Sequence, residues 1–191
     1  MNKILLLLSV AWLFAGCPAM AQTTNAPVTA ILGAYGEEIT LLLQKVGHKK
    51  ELVIARLHFV EGTLNGRKVV VALTGIGKVN AAITTTLMIE HFHPAELLFS
   101  GIAGGVDPAL SPGDLVIGKR LAFHDYGILT DSLRPDSTRD PATTKKNPLY
   151  FPSDESLIRL AEKDIARFYR AAAHNAATLV AAITGGLSQA R

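Results

Sequence analysis

The amino-acid sequence predicts an α/β fold built on a mixed, partly parallel sheet. Short apolar runs alternate along the chain with segments in which apolar residues recur at helical spacing. Several of these runs end in glycine-rich turns, where a strand can pass directly into a helix. With 191 residues, of which 49% are hydrophobic, the chain is long enough to bury one substantial core.

The first half of the chain supplies the clearest elements. Residues 28–33 form an apolar run typical of a buried strand, and residues 37–46 follow with helical periodicity. The dipeptide Asn65-Gly66 tolerates positive φ at both positions and therefore predicts a hairpin turn. The two strands that it joins are predicted over residues 52–64 and 67–73.

The second half continues the alternation of helices and strands. Pro94 ends a predicted helix, because proline cannot continue the hydrogen-bond ladder. In chain order, the predicted elements are a helix over residues 79–93, a strand over 96–100, a strand beginning at 115–117, a polar surface loop over 131–148, and a helix over 154–169 capped by Ser153.

The charge pattern bears on the class of partner. The formal net charge is +3, and the basic residues are scattered, with no cluster larger than Lys49-Lys50 or Lys145-Lys146. A nucleic-acid surface needs clustered basic residues to displace counterions. We therefore expect no nucleic-acid partner.

The N-terminal segment has the features of a secretory signal peptide. Lys3 precedes an apolar run over residues 4–14, which is too short to span a bilayer, and Ala19-Met20-Ala21 fits a small-x-small cleavage site. The expected division is a signal peptide over residues 1–21, a linker over 22–27 and one domain over 28–191.

The predicted destination is the periplasm, with no membrane contact after the signal is cleaved. Cleavage after Ala21 also removes Cys17, the sole cysteine, so the mature chain would hold no disulfide. A second interpretation stays open, in which residues 14–17 form a lipobox and Cys17 carries a lipid anchor. Phe14 and Pro18 fit that pattern poorly.

Three loops follow predicted strands, at residues 33–38, 74–78 and 101–105. In open α/β sheets, ligands bind beyond the carboxyl ends of the strands. Glycines in such loops allow the backbone to approach a flat ligand closely. We expect these loops to line one cleft.

The residue types in the loops allow more than one interpretation. Glu37 and Glu38 suit the positive end of a helix dipole, and a carboxylate at the mouth of a pocket can also act as a general base. The turn at residues 75–78 either needs small residues for steric reasons or cradles an anion at a helix N-terminus. It lacks the spacing of a Walker loop or a dinucleotide fingerprint.

The histidines do not indicate a metal centre. His91 and His93 lie two residues apart at a predicted helix end, so they point to different faces and favour a dipole interaction. His124-Asp125 is either a loop hydrogen bond or a catalytic pair. No Cys/His cluster and no Ser-His-Asp set stands out, and we expect no metal.

Four segments in order carry a resemblance to a known family. They resemble the 5′-methylthioadenosine/S-adenosylhomocysteine nucleosidases of the purine nucleoside phosphorylase superfamily. The resemblance implies a three-layer α/β/α sandwich, usually homodimeric, that uses no metal and no organic cofactor. The segments are ILGAYGEE at residues 31–38, TGIGKV at 74–79, SGIAGG at 100–105 and PGDLV at 112–116.

The resemblance implies hydrolysis of the N-glycosidic bond of a small-molecule purine nucleoside, through an oxocarbenium-like transition state. Glu38 occupies the position of the carboxylate that activates the attacking water. Ile76 matches a residue that lines the pocket for the 5′-alkylthio group. Ile102, Ala103 and Gly104 match the segment beside the base and the ribose, although a serine stands in a relative at the position of Ile102.

Two other functions remain open at this point. Related phosphorylases place an arginine in the first loop, whereas carboxylates stand there in this chain. A carboxylate repels a phosphate dianion and suits the activation of water, so hydrolysis is favoured over phosphorolysis. The other alternative is a non-catalytic periplasmic nucleoside-binding protein.

The resemblance also implies features towards the C-terminus that this sequence does not contain. They are a Met-Glu motif that holds the ribose hydroxyls and a late aspartate that protonates the purine. After residue 169 the chain is rich in alanine, and Asp164 is its last acidic residue. From this comparison we expect the C-terminal part of the domain to be missing and the activity to be impaired.

Overall fold

The computed structural model describes residues 26–168, which form one five-stranded sheet with helices on both faces. The strand order is β2-β3-β4-β1-β5. The strands are β1 (Val28–Gly33), β2 (Gly47–Ile54), β3 (Leu57–Leu64), β4 (Arg67–Leu73) and β5 (Glu96–Phe99). The helices are α1 (Gly36–Lys45), α2 (Lys78–Phe92) and α3 (Glu155–Phe168). This architecture confirms the predicted α/β fold and its three layers.

Strand β1 lies between two parallel neighbours. It pairs with β4 on one side and with β5 on the other, whereas β3 pairs antiparallel with both β2 and β4. Five of the six residues of β1 are buried, as expected for a strand covered on both faces. The carboxyl ends of β4, β1 and β5 therefore lie side by side.

Both faces of β1 contribute to the core. Ile31 packs on one face with residues of α1 and α3, whereas Leu32 packs on the other face with Met88 of α2. All three side chains are fully buried. Burying a side chain of this size contributes about 1.5–3 kcal/mol. The alternation along a single strand thus attaches both helical layers to the sheet.

The five-stranded sheet contains two hairpin turns, and the sequence signals only one of them. Asn65 and Gly66 adopt φ values of 50° and 78°, as predicted. A second turn at Ala55 and Arg56, with φ values of 49° and 68°, divides the predicted strand over residues 52–64 into β2 and β3. The single-strand prediction was wrong because neither residue type signals a turn. Pairing of the strands on either side stabilises their left-handed conformation.

A buried polar cluster lies near the opposite, amino end of the parallel strands. Arg67 donates from Nε to Thr29 Oγ1 at 2.7 Å and also forms an ion pair with Glu96. Thr29 Oγ1 donates to Glu96 Oε1 at 2.7 Å. One network thus connects β4, β1 and β5 at the end of the sheet away from the three loops.

The strand predicted to begin at residues 115–117 does not form. A strand requires a neighbour for its backbone ladder, and within residues 26–168 the edge strand β5 pairs with β1 alone. Ile117 instead packs, partly buried, against the cluster that contains Ile31. The apolar residues at 115–117 are therefore explained by packing against the core and not by strand pairing.

The segment of residues 118–153, called the excursion below, lies between β5 and α3 in the chain. It contains two short antiparallel pairs, and most of its side chains are exposed. The predicted loop over residues 131–148 therefore includes a strand, which forms because it meets a partner across a tight hairpin. The strands are β6 (Arg120–Leu121), β7 (Gly127–Leu129), β8 (Leu133–Pro135) and β9 (Phe151–Pro152).

Helix α3 is capped by a different residue from the one predicted. Asp154 Oδ1 accepts the backbone N–H groups of Ser156 and Leu157 at 2.9 and 3.0 Å. The hydrogen bond from the Ser156 hydroxyl is the main cause that lowers the pKa of Asp154. Ser153 instead donates its hydroxyl to Gly118 O at 2.6 Å, so the prediction of Ser153 as the cap was wrong.

Several predictions fall outside the described residues. They are the signal peptide over residues 1–21, the lipid-anchor alternative at Cys17, most of the linker over 22–27 and the alanine-rich stretch after residue 169. Among the helices of residues 26–168, none combines the length and the apolar character needed to cross a membrane.

Candidate functional site

The three loops predicted from the sequence begin at one edge of the sheet. Thr74 N donates to Gly33 O at 2.8 Å, and Ser100 N donates to Leu32 O at 2.9 Å. These bonds extend the parallel ladders of β4 and β5 onto the end of β1. The loops that start at Gly33, Thr74 and Ser100 therefore leave the sheet next to one another, as expected for a ligand site of an open α/β sheet.

Glu38 lies in the first turn of α1 and folds back over the start of the helix. Its Oε2 accepts the backbone N–H groups of Ala34 at 2.5 Å and Tyr35 at 2.9 Å. These contacts complete a capping box, in which a residue three positions into the helix satisfies backbone donors that have no helical partner. The helix dipole also favours a negative charge at this place.

The second carboxylate oxygen of Glu38 reaches a different loop. Oε1 accepts the backbone N–H of Ile102 at 2.9 Å. One side chain therefore joins the loop after β1 to the loop after β5, across 64 positions in the sequence. Of the predicted site residues, the structure brings Glu38 and Ile102 into direct contact.

Two glycines, one in each loop, pack closely around the start of α1 and this carboxylate. A Cβ atom on Gly101 would lie 3.0 Å from Glu38 Oε1, and a Cβ atom on Gly33 would lie 2.7 Å from Ile39 Cγ2. Both distances are too short for a side chain without a shift of the neighbours. The glycines of the two loops thus allow the backbone to close around Glu38.

The contacts of Glu38 leave it able to act chemically. An ionised carboxylate offers about four acceptor positions, and three backbone N–H groups use three of them. A water molecule beside the carboxylate can donate to the remaining position. Within residues 26–168, three backbone N–H groups thus leave one acceptor position of Glu38 unused, and a general base needs such a position.

The turn after β4 leaves the side chain of Ile76 exposed at the protein surface. Gly75 and Gly77 adopt φ values of 75° and 101°, which side chains other than glycine rarely adopt. Ile76 stands between them with 66% of its surface exposed, and Asn80 Nδ2 donates to its carbonyl oxygen at 2.8 Å. The turn therefore presents an exposed apolar side chain between two glycines in the left-handed conformation.

The loop after β5 is exposed over the predicted site residues. Ile102 has 81% of its surface exposed, Ala103 is also exposed, and nothing lies within 4 Å of a Cβ atom built on Gly104. The described structure therefore presents backbone and an apolar side chain here. Its contact with Glu38 is made through the backbone N–H of Ile102, which any residue type can provide except proline.

Sequence reasoning did not identify the partner of Asp125. Lys78 Nζ, at the start of α2, donates to both carboxylate oxygens of Asp125 at 2.5 Å. The hydrogen bond from Lys78 is the largest cause that holds the pKa of Asp125 below its ordinary value. His124 is largely exposed, and its Nδ1 lies 4.0 Å from Asp125 Oδ1. The predicted His124-Asp125 pair is therefore secondary to a long-range ion pair.

His91 and His93 lie at the end of α2. His93 adopts φ of 45° at the C-cap, directly before Pro94, and the His91 ring lies 6.5 Å from the ring of Phe92. In the part of the chain that the structure describes, no three His, Cys, Asp or Glu side chains are grouped closely enough to hold a metal ion.

The fold and the joined loops define an α/β protein with a candidate ligand site at the carboxyl edge of its parallel strands. Comparison with known proteins gives its family. A sequence model of the phosphorylase superfamily matches residues 28–188, and the chain belongs to that superfamily.

Within this superfamily, individual relatives are similar to the chain over most of its length. The chain is 37% identical over 133 residues to a 5′-methylthioadenosine/S-adenosylhomocysteine nucleosidase of Psychromonas ingrahamii. The aligned residues make up 70% of this chain and 55% of the relative. The chain thus spans about half the length of the curated relatives that it matches.

Solved structures agree with this result. The nucleosidase of Neisseria meningitidis in complex with methylthio-immucillin-A aligns with a TM-score of 0.65 at 35% identity, covering 74% of this chain and 58% of the other. The nucleosidase of Colwellia psychrerythraea in complex with adenine aligns with a TM-score of 0.66 at 30% identity, covering 76% and 57%.

Proposed function

We propose that this protein hydrolyses the N-glycosidic bond of a purine nucleoside such as 5′-methylthioadenosine or S-adenosylhomocysteine. The observation that carries the proposal is the carboxylate of Glu38, held by backbone N–H groups of two loops at the carboxyl edge of the sheet. Membership of the phosphorylase superfamily and similarity to nucleosidases that bind adenine or a nucleoside analogue support the choice of substrate.

The loops suit a flat base attached to a sugar. The backbone of residues 102–104 would lie beside the base and ribose, and the exposed side chain of Ile76 would contact the 5′-alkylthio group. Apolar contact around a few placed polar groups is the usual composition of a small-molecule site. No metal and no organic cofactor enters the proposal.

The proposed chemistry uses Glu38 as the general base. Its free acceptor position takes a proton from water as the water oxygen bonds to the anomeric carbon. The bond from that carbon to the purine nitrogen breaks, and the purine leaves with the bonding electron pair and takes up a proton from solvent water. General base catalysis of this kind contributes about 10²–10⁴-fold to the rate.

Water is preferred to phosphate as the attacking group for an electrostatic reason. Glu37 and Glu38 place two carboxylates in the first turn of α1, and the loop before them contains no basic residue. A phosphate dianion would meet like charge at that position. The free donor of a water molecule suits the carboxylate instead.

The experiment measures adenine release from methylthioadenosine by the full chain, with and without inorganic phosphate. We expect release that does not require phosphate and that yields the free sugar. Glu38→Gln is expected to lower the rate at least about 100-fold, whereas the matched variant Glu37→Gln keeps it within a few-fold. Full activity of Glu38→Gln would contradict the assigned role, and strict dependence on phosphate would contradict hydrolysis.

The compartment is proposed from the sequence, and the assembly is proposed from the family resemblance. We propose that residues 1–21 direct the chain to the periplasm and that the mature protein is a homodimer. N-terminal sequencing of the exported protein tests the first point, with Gln22 expected as the first residue. A lipid-modified Cys17 would contradict it. Light scattering after size-exclusion chromatography tests the second, and a monomeric mass would contradict it.

A further inference from the structure

Helix α2 begins with a charge that its own dipole disfavours. Lys78 is its first residue, the first turn contains no acidic residue, and Gly77 at the N-cap has no side chain to accept a hydrogen bond. The N-terminus of a helix carries a partial positive charge, which repels a cation. Asp125, 47 positions further along the chain, supplies the missing negative charge.

The contacts around Lys78 are specific in geometry. Its ammonium donates to both oxygens of Asp125 and lies 5.6 Å from the centroid of the Phe123 ring. Phe123 in turn lies 6.3 Å from the ring of Tyr126. A cation held between a carboxylate and an aromatic face has two attractive partners. Lys78 therefore contacts Asp125 and Phe123, which lie close together in the excursion.

The ends of the excursion have a different attachment. Lys119 forms an ion pair with Glu162 of α3 at 2.7 Å, and Ser153 binds the backbone of residues 118 and 119. These contacts fix where the excursion leaves and returns. The contact at Lys78 attaches Phe123 and Asp125, near the start of the excursion, to the first residue of α2, which follows the turn that carries Ile76.

We propose that Lys78 and Asp125 are a positioning pair, which holds Phe123 and Tyr126 beside the turn at Ile76 and so shapes the outer part of the nucleoside site. The inference rests on the proposed function and names a determinant of substrate fit within it. Lys78 lies two residues from Ile76, so a displaced excursion alters the surroundings of the 5′ group. The base, which lies at the loop of residues 102–104, would be unaffected.

The experiment compares two ligands on the full chain by calorimetry. Adenine contains the base alone, whereas methylthioadenosine also contains the sugar and the 5′ group. Methylthioadenosine binding is measured with Glu38→Gln present in every protein, so that the ligand is not hydrolysed. The variants are Lys78→Met, Asp125→Asn, their combination and the conservative Lys78→Arg. Asp136→Asn is the matched control, because it removes an exposed ion pair of 2.8 Å with Lys146 within the excursion. Hydrogen exchange of residues 120–127 is measured in parallel without ligand.

We expect the variants to change the affinity for methylthioadenosine and not the affinity for adenine. Lys78→Met and Asp125→Asn should each weaken methylthioadenosine binding by about two- to five-fold, the range of one exposed ion pair. Adenine affinity should not change, the combined variant should be no worse than either single one, and Lys78→Arg should restore most of the affinity. Exchange at residues 120–127 should rise in the two single variants and not in the control.

Three outcomes would overturn the inference. They are unchanged exchange, unchanged methylthioadenosine affinity, and an equal loss for adenine, which would indicate a general effect on folding. If the unmodified chain binds neither ligand, the proposed function fails and the role of the pair in substrate fit fails with it. A rise in exchange would then still establish Lys78 and Asp125 as the contact that positions the excursion.

Discussion

The carboxylate of Glu38 accepts the backbone N–H of Ile102 at 2.9 Å and thereby joins two loops that follow neighbouring parallel strands. The same side chain closes the first turn of α1 through Ala34 and Tyr35. A residue proposed to activate water thus also determines the shape of the site. Its substitution should affect stability as well as chemistry, and these effects can be measured separately.

Glu38→Gln should lower the free energy of unfolding by about 1–3 kcal/mol, because an amide nitrogen cannot accept a hydrogen bond and would face a backbone N–H group. Urea unfolding followed by circular dichroism measures the change. Glu37→Gln keeps the helix and removes a neighbouring charge, so it should stay within about 0.5 kcal/mol of the unmodified chain. Equal stability of the two variants would contradict the observed role of Glu38 in joining the loops.

Gly33→Ala should destabilise the fold by about 1–3 kcal/mol, because its Cβ atom would lie 2.7 Å from Ile39 Cγ2 in a packed region. Gly36 is the matched control, since nothing lies within 4 Å of its Cβ position and it begins α1. Gly36→Ala should be neutral or stabilise by up to about 1 kcal/mol. Thermal melting measures the stability of both variants. A Gly36→Ala variant that is less stable than Gly33→Ala would contradict the packing described.

Glu96→Ala should cost about 3–5 kcal/mol, because it removes one member of the buried ion pair between Glu96 and Arg67. The combined variant Arg67→Met with Glu96→Leu should lose less than the sum of the single variants, since both members of the pair are removed together. Lys50→Met removes an exposed pair with Glu61 and should change little. Additive losses in urea unfolding would contradict the coupling of Arg67 and Glu96.

Asp125 should titrate below the ordinary aspartate pKa of about 3.9, because Lys78 stabilises its charged form. A folded-state pKa below the unfolded value means that the ion pair contributes stability at higher pH. That contribution is lost as the pH falls through the lowered pKa. Carboxyl NMR measures the titration, and in Lys78→Met the pKa of Asp125 should rise towards its ordinary value. The same pKa in both proteins would refute the contact.

Local patterns were enough to predict the parts of the fold that depend on neighbouring residues. The apolar run of β1, the helix that ends shortly before Pro94 and the turn at Asn65-Gly66 each depend on chemistry within a few positions. The turn at Ala55-Arg56 was missed, because pairing of the strands on either side stabilises it and the residue types do not.

The candidate site was predictable to a lesser extent. The glycine-rich loops indicated an edge of the sheet, and the structure places the starts of these loops side by side. The contacts of Glu38 with Ile102 and of Lys78 with Asp125 join residues far apart in the sequence. No local pattern contains that information, because it arises only when the parallel strands are assembled.

A crystal structure of the full chain with a non-hydrolysable methylthioadenosine analogue would show whether Glu38 faces the sugar. We expect the purine beside residues 102–104, the 5′ group against Ile76, and a water molecule between the sugar and the carboxylate of Glu38. A ligand bound elsewhere on the protein, or bound at this edge with Glu38 beyond the reach of the sugar through one water molecule, would contradict it.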